Sequence, residues 1–284
     1  MSKLILGIDA GNYMAKVAGA FGVDSYRTAI CDWFQRDFVE SFGEDDMEFE
    51  IDSRKGYAGS IAVYEDVFGG SGMYGDSKAH KDTKIRVLLA LYRYINKHSP
   101  STEEVSIVTG QPITSHNDKE KLKISGMLQG GHEFTVNGKK QYVYIQDVGV
   151  AAEGCGAFWS VAQNGKFRIL DIGSGTINAA TIIQKKTVNT ASDTFNFGME
   201  TVNRGIDSVA RGIIRETTRM NWQRTDNVLI CGGVANEILP FIREHYPNAK
   251  TIQPLLQNEK GVQVVAPTYS NAVGFYELAK LNFG

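Results

Sequence analysis

Two short segments bring a carboxylate, glycine and small polar groups together: Asp9-Ala10-Gly11-Asn12 and Asp171-Ile172-Gly173-Ser174-Gly175-Thr176. The first follows the apolar run Leu4 to Ile8 and the second begins within the run Phe167 to Ile172, so each aspartate falls at the end of an expected buried strand. A carboxylate in that place can hold a hydrated Mg²⁺ while the backbone N–H groups of the turn point at phosphate oxygens. Glycine is needed because a Cβ would block the approach. One Asp-x-Gly turn is weak evidence, since it is more often a plain hairpin. Two in register say more: placing Asp9 on Asp171 puts Gly11 on Gly173, Asn12 on Ser174 and Ala18 on Ala180, with a constant offset throughout. Such a pair can clamp the β- and γ-phosphates of a nucleotide from two sides.

Three further features bear on the same chemistry. Lys16 either returns along a second strand toward the phosphates or is a solvated surface lysine. Glu153 interrupts the small, apolar stretch Val148 to Phe158, where a carboxylate either caps a helix or polarises a water for attack on a phosphate. Val228 to Cys231 and then Gly232-Gly233-Val234-Ala235-Asn236 reads as strand, double glycine and helix start. That element either lets backbone come close to a flat base or ribose, or is an ordinary strand-to-helix turn.

The elements that must hold these groups can be read from periodicity. Ala15 to Phe21 and Ala179 to Ile183 resume the apolar character after each aspartate turn, which predicts strand, tight turn and strand twice over. Between them the pattern predicts a helix over Thr83 to Asn96, a buried strand over Glu104 to Gly110, a capped helix over Asn117 to Leu128, a strand over Gln141 to Val150 and a helix over Ala151 to Gln163. After the second turn come a long helix over Met199 to Met220, a strand over Asn227 to Cys231, and helices over Glu237 to His245 and Tyr269 to Leu281. Alternating strands and helices on a duplicated frame mean two α/β lobes with covered sheets.

Composition narrows the classes. The chain has 284 residues, enough for a sizeable core, and Lys+Arg 30 against Asp+Glu 32 leaves a charge of −2, without the basic excess of a dedicated nucleic-acid binder. No signal peptide is found, nor any uncharged run long enough to span a bilayer, so a cytoplasmic protein with no membrane partner is expected. Cys31, Cys155 and Cys231 form no CxxC pattern, and His80, His98, His116, His132 and His245 lack metal-ligand spacing. Lys119 to Lys123 reads as a solvated helix face. Trp33, Phe34, Phe38 and Phe42 recur near helical spacing, which means core or, in a polymer, a contact between subunits.

Asp9 to Lys16, Asp171 to Thr176 and Gly232 to Asn236, in this order, resemble the phosphate-one, phosphate-two and adenosine motifs of the actin, Hsp70 and sugar-kinase superfamily. Tyr57-Ala58-Gly59-Ser60-Ile61-Ala62, Val108-Thr109-Gly110-Gln111-Pro112-Ile113 and Val148 through Glu153-Gly154-Cys155-Gly156-Ala157 look like the ParM/StbA actin-like plasmid-segregation ATPases. The resemblance covers nearly the whole chain. It implies a two-lobed actin-like α/β fold with duplicated RNase-H-like cores, ATP or GTP with Mg²⁺ in the cleft, and nucleotide-dependent filaments that move low-copy plasmid DNA. By position, Asp9 and Asp171 carry over as the aspartates that hold Mg²⁺ through water, Gly11, Asn12, Tyr13, Lys16, Gly173, Ser174, Gly175 and Thr176 as the phosphate side, and Glu153 as the residue positioning the hydrolytic water. Gly232, Gly233 and Asn236 carry over to the base and ribose side, with Glu200 and Arg204 on the helix before them. The partners implied are further copies of the chain and a DNA-binding adaptor on a centromere-like plasmid site, with no direct contact to nucleic acid.

The pattern departs from the family in two places. The stretch from Ile183 to Asn227 is short, and the expected long helix takes half of it, leaving no room for the fourth subdomain (IIB). That resembles the shortened segregation actin AlfA, and divides the chain into lobe I, 1–152 plus 268–284 with a small IB insertion at about 28–80, and lobe II, 153–267 without a full IIB. Tyr13 stands where a small residue is usual. Other functions of the superfamily fit part of the pattern. A small-molecule kinase, such as a type III pantothenate kinase, needs a substrate site that no motif supplies here. An activator ATPase of 2-hydroxyacyl-CoA dehydratases carries its cluster ligand after the second phosphate motif, whereas Cys155 precedes Asp171. A nucleotide-binding regulator that forms no filament stands as a third.

Overall fold

The computed structural model describes residues 3–37, 43–65, 77–98 and 104–284. Its first half forms β1 (Leu4–Ala10), β2 (Met14–Gly19), β3 (Gly22–Arg27), β4 (Ile30–Asp32), β5 (Met47–Ile51), β6 (Arg54–Ala58), α1 (Ser60–Glu65), α2 (Lys81–His98), β7 (Glu104–Gln111), α3 (Asp118–Leu128), β8 (Gly130–Val136) and β9 (Lys139–Ala152). The strands make one nine-stranded sheet in the order β3-β2-β1-β7-β9-β8-β5-β6-β4. The second half forms α4 (Cys155–Phe158), β10 (Lys166–Ile172), β11 (Ile177–Ile183), β12 (Lys186–Thr187), β13 (Asp193–Phe195), α5 (Ile206–Arg219), β14 (Val228–Gly232), α6 (Ala235–Arg243), β15 (Lys250–Thr251), the hairpin β16 (Leu255–Asn258) and β17 (Gly261–Val264), and α7 (Ser270–Phe283). Its main sheet runs β12-β11-β10-β14-β15, with β13 also paired to β11.

The two sheets repeat one topology. In each, the aspartate-bearing strand has an antiparallel neighbour that follows it and a parallel one on the other side: β1 between β2 and β7, β10 between β11 and β14. Asp9 pairs with Lys16 and Asp171 with Asn178, so the constant offset seen in the sequence is also the register of the fold. β1 and β10 are almost wholly buried because each is central and covered on both faces, which explains their unbroken apolar runs. The chain thus has the two-lobed α/β architecture with duplicated cores that the resemblance implies.

Local chemistry sets the helices. α2 buries Ile85, Leu88, Leu89, Tyr94 and Ile95 at helical spacing against β1 and β2, and carries Asp82 in its first turn and Lys97 and His98 in its last. Asn117 caps α3, its Oδ1 accepting from Glu120 N at 3.1 Å. Helix α7 crosses the start of α4 so closely that a Cβ on Gly274 would lie 1.9 Å from the Gly156 carbonyl oxygen. Only glycine permits that approach, and it locks the last helix against the joint between the halves.

Three expectations are corrected. The segment 151–163 is not one helix: Ala151 and Ala152 finish β9 in its ladder with β7, and Gly154 at φ 73° limits the helix to α4 and a 3₁₀ turn, Trp159–Val161. The helix expected from Met199 starts at Ile206, and residues 199–205 form turns in which Met199 N and Glu200 N donate to the Gly173 and Ser174 carbonyls at 3.1 and 2.8 Å and Arg204 N to Val202 O at 2.7 Å. Glu200 and Arg204 therefore lie on a turn, not on a helix. Trp33 and Phe34 are 44% and 40% exposed on a non-helical segment and not core, while Phe38 and Phe42 lie outside the described residues.

Candidate functional site

The carboxyl ends of β1, β9 and β10 converge on a cavity of about 610 Å³ lined from both halves of the chain. Asp9, Gly11, Asn12, Tyr13, Lys16, Glu153, Asp171, Gly173, Ser174, Gly175, Thr176, Glu200, Gly232 and Gly233 all line it. Two of the residues expected there do not. Arg204 lines a separate groove with Phe197, Arg211 and Arg215, and Asn236 is exposed in the first turn of α6.

Both aspartate turns are tied down from outside. In the first, Thr28 Oγ1 donates to the Gly11 and Asn12 carbonyls at 3.0 and 2.7 Å, and Arg27 stacks over the Tyr13 ring at 3.5 Å. In the second, Gly173 N donates to Thr176 O at 3.0 Å, closing the turn, and the 199–200 segment occupies the Gly173 and Ser174 carbonyls. The Gly11, Asn12, Gly173 and Ser174 carbonyls are thus all occupied by hydrogen bonds within the protein. Gly232 adopts φ 102°, and a Cβ there would lie 2.2 Å from Ile172 O, so the third glycine element packs directly on the strand that carries Asp171.

Charge is concentrated at the floor. Asp9 lies 3.3 Å from Lys16 Nζ and 3.6 Å from Lys78 Nζ, and Lys78 Nζ is also in contact with Glu153 Oε1. Burial by itself would raise the Asp9 carboxyl, but the ammonium groups of Lys16 and Lys78 outweigh it and hold that carboxyl below the usual range. Burial pushes Glu153 up, and although Lys78 opposes it, the negative Asp9 and Asp171 add to the rise. Asp171 is likewise raised by burial and by Asp9, against hydrogen bonds from Asn271 Nδ2 at 2.9 Å and Asn178 Nδ2 at 3.4 Å. Asn178 Nδ2 also reaches Glu153 Oε2 at 3.2 Å, joining the two carboxylates through one amide. Burial, reinforced by Asp171, sends the Cys231 thiol well up, so it is a packing residue rather than a nucleophile.

Three cleft residues escaped the sequence reading. Lys78 is one, held in place where its backbone N–H donates to Gln111 Oε1 at 2.9 Å. Asn178 was within reach, since it is the counterpart of Lys16 on the duplicated frame. Asn271, a buried polar residue next to Ala272 and Val273 in the first turn of α7, donates to Asp171 and accepts from Gly154 N at 3.1 Å. It thereby fixes the Asp171 carboxylate against the turn that bears Glu153.

Among the described residues no three His, Cys, Asp or Glu side chains are grouped so as to hold a metal ion by themselves. Asp9 and Asp171 nonetheless face one space as hard oxygen donors, which suits Mg²⁺ carried in on phosphates and water rather than caged by protein.

Comparison with known proteins agrees with this architecture. No curated protein sequence matches the chain significantly. Among solved structures, an AlfA filament bound to AMPPNP superposes with a TM-score of 0.82 at 20% identity over all of both chains. The filament structure of AlfA from the B. subtilis plasmid pLS32 gives 0.79 at 22% identity over 99% of this chain and all of that one. A 15-stranded ParM filament from Clostridium botulinum gives 0.76 at 17% over the same shares. At these identities the likeness is one of fold. The family described as the N-terminal domain of actin-like proteins matches residues 7–156, from the first aspartate strand through the Glu153 turn. The chain belongs to the actin-like proteins.

Proposed function

We propose that the chain is an actin-like ATPase or GTPase that polymerises head to tail in its nucleotide-bound state and segregates low-copy plasmid DNA. The observation that carries this reading is the convergence of Asp9, Glu153 and Asp171, from three strand ends of a duplicated frame, on one cavity. The fold shared with filament structures, one of them bound to AMPPNP, supports it. The N–H groups of the Gly11 to Tyr13 and Gly173 to Thr176 turns would take the phosphates, and Gly232 and Gly233 the base and ribose side. Asp9 and Asp171 would hold the waters of Mg²⁺, which supplies charge neutralisation at the β- and γ-phosphates. Glu153 would orient the attacking water and accept its proton.

Lobe I, 1–152 with 268–284, and lobe II, 153–267, would be bridged by nucleotide through the two aspartates. Closing that cleft sets the shape of the polymerising surfaces, and loss of the γ-phosphate releases it. Head-to-tail contacts are heterologous and need not close, so an open filament is the natural product. On this reading the 184–227 segment, with two short strands and α5, would be too short for a full IIB subdomain. DNA would be held through a separate adaptor protein. Among the described residues no helix is long and apolar enough to cross a membrane.

The test is right-angle light scattering with electron microscopy of the same sample, using Mg²⁺ with ATP, GTP or a non-hydrolysable analogue and a control lacking nucleotide. Filaments that require nucleotide support the reading and identify the base. Nucleotide binding without filaments over a broad range of concentration and salt would shift it to a small-molecule kinase or a regulatory nucleotide-binding protein.

A further inference from the structure

Asn12 reaches the cavity from the first aspartate turn, and its carboxamide has two chemically opposite ends. Arg86 Nη1 lies 2.8 Å from Asn12 Oδ1. A guanidinium has five donors and no acceptor, so the end of the amide facing it must be the oxygen. The main-chain oxygen of Asn12 is also taken, by Thr28 Oγ1 at 2.7 Å. What remains is the Nδ2 amino group, which makes no hydrogen bond among the described residues and belongs to a side chain lining the cavity. Arg86 itself is only 2% exposed in α2, where its carbonyl accepts from Tyr26 OH at 2.9 Å, so the guanidinium sits on a packed helix and not on a loop.

We propose that Arg86 is a positioning residue: it orients Asn12 as a hydrogen-bond donor into the cleft and so commits the first turn to acceptor-only oxygens, those of a phosphate. The inference rests on the nucleotide reading of the cleft and deepens it. Arg86 places a fixed positive charge behind the turn, and Asn12 transmits the polarity of that charge to the ligand. Aspartate at position 12 would pair with Arg86 equally well but would offer the ligand an anionic acceptor. The need for a donor therefore accounts for asparagine at a position where the neighbouring cation would otherwise favour a carboxylate.

The experiment is equilibrium titration of a fluorescent adenosine or guanosine triphosphate, with Mg²⁺, into purified wild type, Asn12→Ala, Asn12→Asp, Arg86→Met and the Asn12→Ala/Arg86→Met pair, each checked by thermal melting. Asn12→Asp is expected to lose at least about tenfold in affinity and to bind more weakly than Asn12→Ala. Arg86→Met should weaken binding about as much as Asn12→Ala, and adding it to Asn12→Ala should cost nothing further. Wild-type affinity in Asn12→Asp, or full additivity in the pair, would overturn the inference while leaving the cleft a nucleotide site. Should Arg86→Met fail to fold, Asn12→Asp decides, because it keeps the arginine and its contact. A wild-type chain that binds neither nucleotide would sink the reading of the cleft, and this inference with it.

Discussion

Lys78 is in contact with Glu153 Oε1 and 3.6 Å from Asp9 Oδ1, so one buried ammonium group spans two carboxylates, one on β1 and the other on the turn after β9. All three residues are at least nine-tenths buried. A buried ion is tolerated only with its partners, and removing one leaves the other uncompensated. Lys78→Met should therefore destabilise the nucleotide-free protein by about 3 kcal/mol, with the burden falling on Glu153 and Asp9. Adding Glu153→Gln removes the stranded charge, and the double variant should recover most of that loss. Urea unfolding of the four proteins without nucleotide measures the coupling, and strictly additive losses would show that the contact carries no energy of its own.

The carboxylates at the floor are expected to separate by role. If Glu153 has the proposed role, in which its carboxylate acts on the water and not on the phosphates, Glu153→Ala should slow hydrolysis at least about a hundredfold while leaving nucleotide affinity and assembly largely intact. Asp171→Ala should instead weaken nucleotide binding, and only when Mg²⁺ is present. Phosphate release and nucleotide titration on the same preparations distinguish the two. Normal hydrolysis in Glu153→Ala would remove it from the mechanism.

Much of this site was legible because the duplication is written in both sequence and register: Asp9 with Lys16 and Asp171 with Asn178 occupy matching rungs. Local pattern misled where hydrogen bonding to a distant turn competed with it. Met199, Val202 and Ile206 have helical spacing, yet the backbone at 199 and 200 satisfies the Gly173 and Ser174 carbonyls, and the helix waits until Ile206. The small residues after Val150 likewise read as helix, but the ladder with β7 extends β9 to Ala152 and leaves Glu153 on the turn, where it points into the cavity. Lys78 had no such signal. Its meaning comes from Glu153, a partner far along the chain, and no periodicity encodes that contact.

Burial raises Asp171, and Asp9 adds to it, so the folded protein binds this proton more tightly than the unfolded chain does. A raised carboxyl contributes stability that is fully present below its unfolded value near 3.8 and is lost as pH climbs through the raised folded value. Asp171→Asn removes that loss. It should stabilise the nucleotide-free protein at pH 7, with the gain fading as pH falls toward 4. Chemical unfolding at the two pH values checks it. An equal gain at both would mean that charge burial is not the cause.

Adjacent glycines in the third element should behave oppositely. A Cβ on Gly232 would meet Ile172 O at 2.2 Å, and the residue sits at φ 102°, so Gly232→Ala carries both a clash with backbone and a conformational penalty. A loss of about 2–4 kcal/mol is expected, since the contact is with a strand that cannot move without displacing Asp171. Gly233 has nothing within 4 Å of its added Cβ and lines the cavity. Gly233→Ala should leave the melting temperature within about a degree of wild type, because surface changes of this kind stay within about 0.5 kcal/mol. Its methyl group would nonetheless enter the space assigned to the base and ribose, so nucleotide affinity should fall severalfold while stability holds. If Gly233→Ala binds nucleotide as wild type does, the base lies elsewhere in the cleft.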